Sequence, residues 1–180
     1  MAELVGKRYA LALFEAGSEL GKIDVFKDEL TLLKGLFKNE DRFLEVLSHP
    51  RISNTEKKEL VDRVLKEKLS EEMLNFLYIL IDKRREADIL DIEKEYEELY
   101  NEHKNIVKVV AKTAIPMEDK AKVKLIKVLG EKLDKTIELT NEVDKSIMGG
   151  VLLQMEDRLI DGSIKAQLDS IGKAIGGAAN

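Results

Sequence analysis

The chain has no cysteine, no tryptophan, only two prolines and no long apolar run. Without cysteine there is no disulfide, no thiolate nucleophile and no cysteine-ligated zinc or iron–sulfur centre. Eleven glycines and two prolines are too few for a collagen-like or low-complexity chain. The most apolar stretch, Met73 to Ile81, is interrupted by Asn75 and Tyr78, whereas a membrane-spanning helix needs about 20 apolar residues. The N-terminus carries Glu3 and lacks a basic leader region and a cleavage site, so no signal peptide is expected. If the protein works at a membrane, another subunit must hold it there. An excess of positive charge is also missing. Lys plus Arg number 30 against 35 Asp plus Glu, a net charge of −5, which argues against broad nucleic-acid binding.

What is present is a chain of 180 residues, 44% hydrophobic and 36% charged, the latter well above the usual ~25%. The length suits one ordinary domain or two small ones. The first hundred residues read as six short helices. Leu4, Val5, Tyr9, Ala12, Leu13 and Ala16 recur at helical spacing until Gly21. Asp24 is expected to cap a second helix, in which Phe26, Leu30, Leu33 and Phe37 fall at i, i+4, i+7 and i+11. Asn39 is expected to cap a third, which His49-Pro50 stops. Ser53-Asn54-Thr55-Glu56 is a capping box for the fourth. Ser70 caps the fifth, and the sixth runs from about Asp88 to Lys104, with Ile89, Ile92, Tyr96, Leu99 and His103 on one stripe. Glu93, Glu95, Glu97 and Glu98 read as its solvated side, and Asp82, Arg84, Arg85 and Glu86 as a charged helix end and loop.

After Lys104 the pattern changes. Residues 106–113 are β-branched and partly alternating, hence a strand. Past Pro116 a helix follows, with Ala121, Leu125, Ile126, Leu129 and Leu133 as its apolar face. Residues 136–143 alternate, Val151 to Met155 form another strand, and Arg158 to Ile160 pair with it. A last helix is expected to carry Ile164, Leu168, Ile171 and Ile175 on one face. The predicted fold is mainly α in two domains: a six-helix bundle over 1–104 and a small α/β domain over 105–180. Their charges differ too: 18 basic and 24 acidic residues in the first, 12 and 11 in the second. Different partners are expected for the two.

Catalytic machinery is not apparent. There is no phosphate loop, no dinucleotide fingerprint and no zinc-protease motif. His49 sits before a proline and His103 at a helix C-terminus, where an imidazole suits the helix dipole. No nucleophile, base and orienter converge, so no cofactor or metal site is expected. Two features exceed an ordinary core. The fifth helix, Met73 to Ile81, is apolar on nearly every side. Such a helix is either buried at the centre of its own bundle or part of a groove for a partner. Ala10, Ala12 and Ala16 offer a surface that another helix can approach closely. The second feature is Gly149-Gly150, entering a strand, followed by Asp161-Gly162-Ser163. A glycine pair there marks a bulge or a close backbone approach. Gly162 is expected to supply a turn and Ser163 a helix cap. A phosphate nest at that point lacks the lysine it needs.

These residues carry a resemblance. Asp144-Lys145-Ser146-Ile147-Met148-Gly149-Gly150-Val151 with Asp161-Gly162-Ser163-Ile164, and Lys7-Arg8-Tyr9-Ala10-Leu11-Ala12-Leu13-Phe14 near the start, resemble the two ends of the delta subunit of bacterial F-type ATP synthases, the family of the mitochondrial oligomycin-sensitivity-conferring protein. Length and domain order agree, so the resemblance spans nearly the whole chain. It implies a non-catalytic stator subunit on the cytoplasmic face of the cell membrane, peripheral and held there only through other subunits. The helical domain receives the N-terminal helices of the alpha subunits, and the C-terminal domain meets the b subunits of the peripheral stalk. Together they resist rotor torque. Tyr9, Ala12 and Phe26 align with family positions around the alpha-binding groove. Tyr9, Ala12 and Leu13 with Phe76, Ile79 and Leu80 have the spacing to line it.

The alternative is a small two-domain enzyme with an interdomain active site, which activity of the isolated chain would reveal. An RNA-binding α/β module lacks both a GxxG loop and stacking aromatics in its strands. Because the patterning changes at residues 104–106, a fragment of residues 1–104 is expected to fold alone as an almost wholly helical protein. Far-UV circular dichroism of a disordered chain would contradict this.

Overall fold

The computed structural model describes residues 2–39, 41–155 and 158–163. Among them are seven α-helices and a four-stranded sheet. The chain divides into two units, Met1–Tyr100 and Asn101–Asn180.

The first unit holds α1 (Ala2–Leu20), α2 (Ile23–Asn39), α3 (Asp41–Ser48), α4 (Asn54–Leu65), α5 (Glu71–Asp82), a single 3-10 turn at Glu86–Asp88, and most of α6 (Ile89–His103). One core joins them. Phe26, Leu30, Leu33 and Phe37 of α2 are buried as their spacing predicts, against Leu65 of α4, Met73 and Leu80 of α5, and Ile89, Ile92 and Tyr96 of α6. Each such side chain stabilises the unit by about 1.5–3 kcal/mol when fully buried.

Local signals set several boundaries. Ser53 Oγ accepts from the Glu56 N–H at 3.3 Å, and Glu56 Oε2 accepts from the Ser53 N–H at 2.9 Å, completing the capping box. Ser70 Oγ accepts from the Met73 N–H at 3.3 Å and starts α5. Asp24 is not a cap. The helix begins at Ile23, whose carbonyl accepts the Tyr96 hydroxyl at 3.0 Å, while Asp24 Oδ1 accepts the Tyr100 hydroxyl at 2.8 Å. Asn39 is the last residue of α2 and not the cap of α3.

The expected solvated face of α6 is partly interior. Glu93 and Glu95 are buried. Lys34 Nζ meets Glu93 Oε2 at 2.8 Å, and Lys27 Nζ meets Glu97 Oε1 at 2.9 Å and Glu93 Oε1 at 3.6 Å. Glu86, expected in an open loop, is buried on the 3-10 turn and paired with the buried Lys57 of α4. The buried Glu29 of α2 accepts both the backbone N–H and the hydroxyl of Ser70, fixing α2 to the start of α5.

The second unit carries β1 (Ile106–Thr113), α7 (Asp119–Leu133), β2 (Thr136–Val143), β3 (Gly150–Met155) and β4 (Arg158–Ser163), in the sheet order β2-β1-β3-β4. β1 and β2 are parallel, joined through α7; β3 runs antiparallel to both β1 and β4. Alternate residues Val107, Val109 and Ala111 are buried with Ile137, Leu153 and Met155. On α7 the packed strip is narrower than expected. Leu129 is buried and Leu125 partly so, but Ala121, Ile126 and Leu133 are exposed, because the helix meets the sheet along one line centred on Leu129. Asn141 anchors the approach to α7. Its Oδ1 accepts from the Met117 N–H at 2.8 Å, and its Nδ2 donates to the Ala111 carbonyl at 2.9 Å and to Thr113 Oγ1 at 2.8 Å.

β4 extends beyond the expected Ile160. Gly162 is a strand residue paired with Val151, not a turn. A Cβ there would lie 3.0 Å from the Val151 carbonyl oxygen, so glycine permits the close pairing. Ser163 pairs with Gly150 as the last strand residue. The helix it was expected to cap lies outside the described residues.

Two outcomes follow from these contacts. Gly150 has φ +83°, a conformation that a β-branched residue adopts only with strain, so Gly150→Val is expected to cost on the order of 1–3 kcal/mol. Hydrogen exchange should speed up in β1, β3 and β4 and stay unchanged in α1–α6; unaltered protection of the sheet would contradict this. In the first unit Tyr78 donates its hydroxyl to Asp62. That carboxylate, with burial second, pushes the phenol from 10.0 up to about 12. The folded chain thus holds this proton more tightly than the unfolded one. The contribution is complete below a pH of about 10, the ordinary tyrosine value, and is lost as pH rises through the folded value. Melting curves of wild type and Tyr78→Phe should converge over that alkaline window, and parallel curves would count against it.

Candidate partner-binding surface

The seating of α1 determines what it shows to the outside. Its inward line is Gly6, Ala10, Leu13 and Gly17, all buried. A Cβ on Gly17 would lie 3.0 Å from the Phe26 ring and 3.4 Å from the Tyr96 hydroxyl; one on Gly6 would lie 3.3 Å from Asp91. The helix therefore lies against the Phe26 ring of α2 and close to the backbone of α6 at Asp91. On one flank Phe14 packs on Tyr96 with ring centroids 5.6 Å apart. On the other, Tyr9 meets Phe76 of α5 edge-on at 6.4 Å and 69°.

Of the two readings of α5, burial at the centre of its own core is the one the side chains show. Met73, Leu74, Phe76, Leu77, Leu80 and Ile81 are buried, so the helix is central to its own core. Ile79 is 50% exposed and is the apolar residue that α5 turns outward. The residues proposed for the groove therefore divide. Tyr9 is half-buried, and Ala12 and Ile79 are on the surface. Leu13, Phe26, Phe76 and Leu80 are core side chains, with Phe26 and Leu80 fully enclosed. They form the wall behind the surface and do not offer contact area of their own. The reason is the size of the unit, which needs those large side chains inside. Ala12 is exposed, Ala16 half-buried and Ala10 fully buried, so the alanines do not form a single outer stripe.

Polar contacts hold α5 in place around this surface. Lys22 meets Glu72 at 2.7 Å near its start. Near its end Lys58 meets Asp82 at 2.7 Å, with Asn54 at 3.4 Å, and the Lys58 ammonium holds the Asp82 carboxyl below its ordinary range. Lys58 also lies 5.7 Å from the centroid of the Tyr78 ring.

The glycine motif lies elsewhere. Gly149, Gly150, Asp161, Gly162 and Ser163 belong to the second unit, where β3 and β4 pair and Asp161 Oδ1 accepts from the Ser163 N–H at 2.9 Å. These contacts give the motif an architectural part. Among the described residues no group of three His, Asp or Glu side chains is placed to hold a metal ion. None of the helices described there is long and apolar enough to cross a membrane.

One feature was not anticipated from the sequence. Around the N-terminal half of α1 lies an open depression of ≈ 620 Å³, lined by Leu4, Tyr9 and Leu11 together with Lys7, Arg8 and Arg85. Leu4 and Leu11 are 75% and 47% exposed. Their i, i+7 spacing was the available signal; Leu4 was counted with the apolar spacing of the helix and Leu11 was not part of it.

Comparison with known proteins identifies the family. The family model described as ATP synthase delta (OSCP) subunit matches residues 5–175. "ATP synthase subunit delta" of Alkaliphilus oremlandii is 44% identical over 168 residues, 93% of each chain. The protein of the same name from Alkaliphilus metalliredigens is 40% identical over 171 residues, 95% of each. A chain in the cryo-EM structure of the Toxoplasma gondii mitochondrial ATP synthase hexamer has a similar fold, with a TM-score of 0.72 at 18% identity, over 94% of this chain and 96% of that one. Those relatives are named for a structural subunit and not for the catalytic one, which removes the two-domain enzyme from consideration. The chain belongs to the ATP synthase delta (OSCP) subunit family.

Proposed function

We propose that this stator subunit ties the catalytic head of an F-type ATP synthase to its peripheral stalk. Residues 1–104 act as one six-helix bundle that receives alpha-subunit N-terminal helices. Residues 105–180 meet the b subunits. The assembly stands on the cytoplasmic face of the membrane, held there by its other subunits, and resists rotor torque during ATP synthesis. Gly149, Gly150, Asp161, Gly162 and Ser163 serve the architecture of the C-terminal part.

The observation that carries the reading is Ile79. It is a half-exposed isoleucine on a helix whose other aliphatic residues are buried, one turn from the Phe76 that meets Tyr9 and on the same unit as the exposed Ala12. Helix-in-groove recognition uses apolar anchors of this kind, with small residues where the two backbones come close. Each anchor that an incoming amphipathic helix covers is worth up to ~1.5–3 kcal/mol. Lost translational freedom and side-chain ordering offset part of the sum. Leu13, Phe26, Phe76 and Leu80 act through the rigidity they give to α1 and α5.

Because Ile79 is on the surface, Ile79→Asp should leave the fold intact and the melting curve close to wild type. Affinity for a peptide of the alpha-subunit N-terminus should fall on the order of tenfold or more, the equivalent of about 1.4 kcal/mol or more. Calorimetric titration checks this. A folded variant with unchanged affinity would remove Ile79 from the interface, and a wild-type chain that ignores the peptide would overturn the reading.

A further inference from the structure

We infer that the depression at the N-terminal half of α1 recognises carboxylate side chains of the incoming amphipathic segment, with Arg8 and Arg85 as the groups that hold them. The inference rests on the reading of α1 and α5 as the landing surface for that segment, and it adds a charge code to an apolar groove.

Three observations meet at this place. First, the depression continues the proposed interface, since Tyr9 lines it and also packs against Phe76 beside Ile79. A helix lying across Tyr9 has somewhere to go at that end. Second, part of its lining is apolar and accessible. Leu4 and Leu11 are exposed, seven residues apart on one helix, which places them about 10 Å apart along the axis. Two turns of a partner helix match that length. Third, its rim is cationic, with Lys7, Arg8 and Arg85 around it. Residues 1–104 carry 18 basic and 24 acidic side chains, so a cluster of three cations runs against the charge of its surroundings. Arg85 makes one 3.4 Å contact within its own turn, to Asp88 Oδ2. Its guanidinium retains donors for a second carboxylate, and arginine presents them as a fork that matches a carboxylate edge.

The same chemistry argues for a peptide over a lipid surface. The cations stand around a depression that also exposes Leu4 and Leu11, while a bilayer offers a plane. The unit has an excess of acidic residues, which an anionic leaflet repels. Exposed ion pairs each add little to affinity. Their larger effect is to set the register of an otherwise apolar helix and to speed its arrival.

The test uses the full chain and the N-terminal peptide of the alpha subunit from the same organism, titrated by calorimetry at low and high salt. Wild type should bind on the order of three- to tenfold more weakly when salt is raised tenfold. Arg8→Glu combined with Arg85→Glu should weaken binding by at least as much at low salt and reverse the salt dependence, since the repulsion it creates is itself screened. A peptide with its carboxylates changed to lysine should restore affinity to that double variant, which a merely structural defect would not allow. Arg8→Gln with Arg85→Gln provides a milder pair should the charge reversal disturb folding. Unchanged low-salt affinity in these variants would overturn the inference, as would equal binding of a peptide whose acids are all amides. Arg8- and Arg85-dependent capture by phosphatidylserine vesicles, with peptide affinity unaltered, would overturn it in favour of a lipid contact. Binding that needs Ile79 but ignores both arginines and salt removes only the rim. No peptide binding by wild type removes the α1–α5 surface and the rim together.

Discussion

Every outward feature of α1 depends on how closely its inner side approaches α2 and α6. Gly6 and Gly17 have no side chain where a Cβ would stand 3.3 Å from Asp91 and 3.0 Å from the Phe26 ring. Ala10 between them is fully enclosed. With the backbone this close, one narrow strip suffices to anchor the helix. Tyr9, Ala12, Leu4, Arg8 and Leu11 are then released to its sides and outer face. A helix seated on larger side chains would have to turn more of its circumference inward. The small residues of α1 thus serve packing on one side and, through that, exposure on the other. That is the arrangement a subunit needs when its work is to be held by partners.

The high charge content is the second constraint. With more than a third of residues charged, some carboxylates end inside, and each needs a cation or a donor. Lys57 meets Glu86, Lys27 and Lys34 meet Glu93 and Glu97, and Glu29 receives Ser70. A buried pair of this kind gains little over a well-packed apolar pair, but losing one partner is costly. These contacts are therefore better regarded as fixing which helix lies beside which. They tie α2 to α5 and α6, and α4 to the turn before α6, so the wall behind Tyr9 and Ile79 has a single arrangement.

The elements legible in the sequence are those whose signal is local. Ser53 and Glu56 are three residues apart and find each other by geometry alone. Ser70 starts α5 in the same way, and Phe26, Leu30, Leu33 and Phe37 face inward because periodicity places them together. β1 was readable from its branched residues. The misreadings come from partners distant in sequence. Glu93 looks like a solvated residue until Lys27 and Lys34, from another helix, reach it. Asp24 has the chemistry of a cap, but α2 begins at Ile23 and the Asp24 carboxylate accepts the distant Tyr100 hydroxyl. Gly162 resembles a turn glycine because nothing local shows that Val151 will lie against it. For the proposed surface, spacing could not separate the exposed Ile79 from the enclosed Leu80, since only the packed core decides which neighbour is enclosed.

The absence of cysteine allows the central claim to be tested directly. Ala12 is exposed in the free chain, so Ala12→Cys introduces a single thiol on the surface assigned to the alpha subunits. In the free chain it should react rapidly with a maleimide. In the assembled ATP synthase the account predicts that this thiol is protected, and that a short bifunctional reagent links it to an alpha subunit. A thiol that reacts equally fast in the assembled enzyme, or that links only to b subunits, would contradict the account.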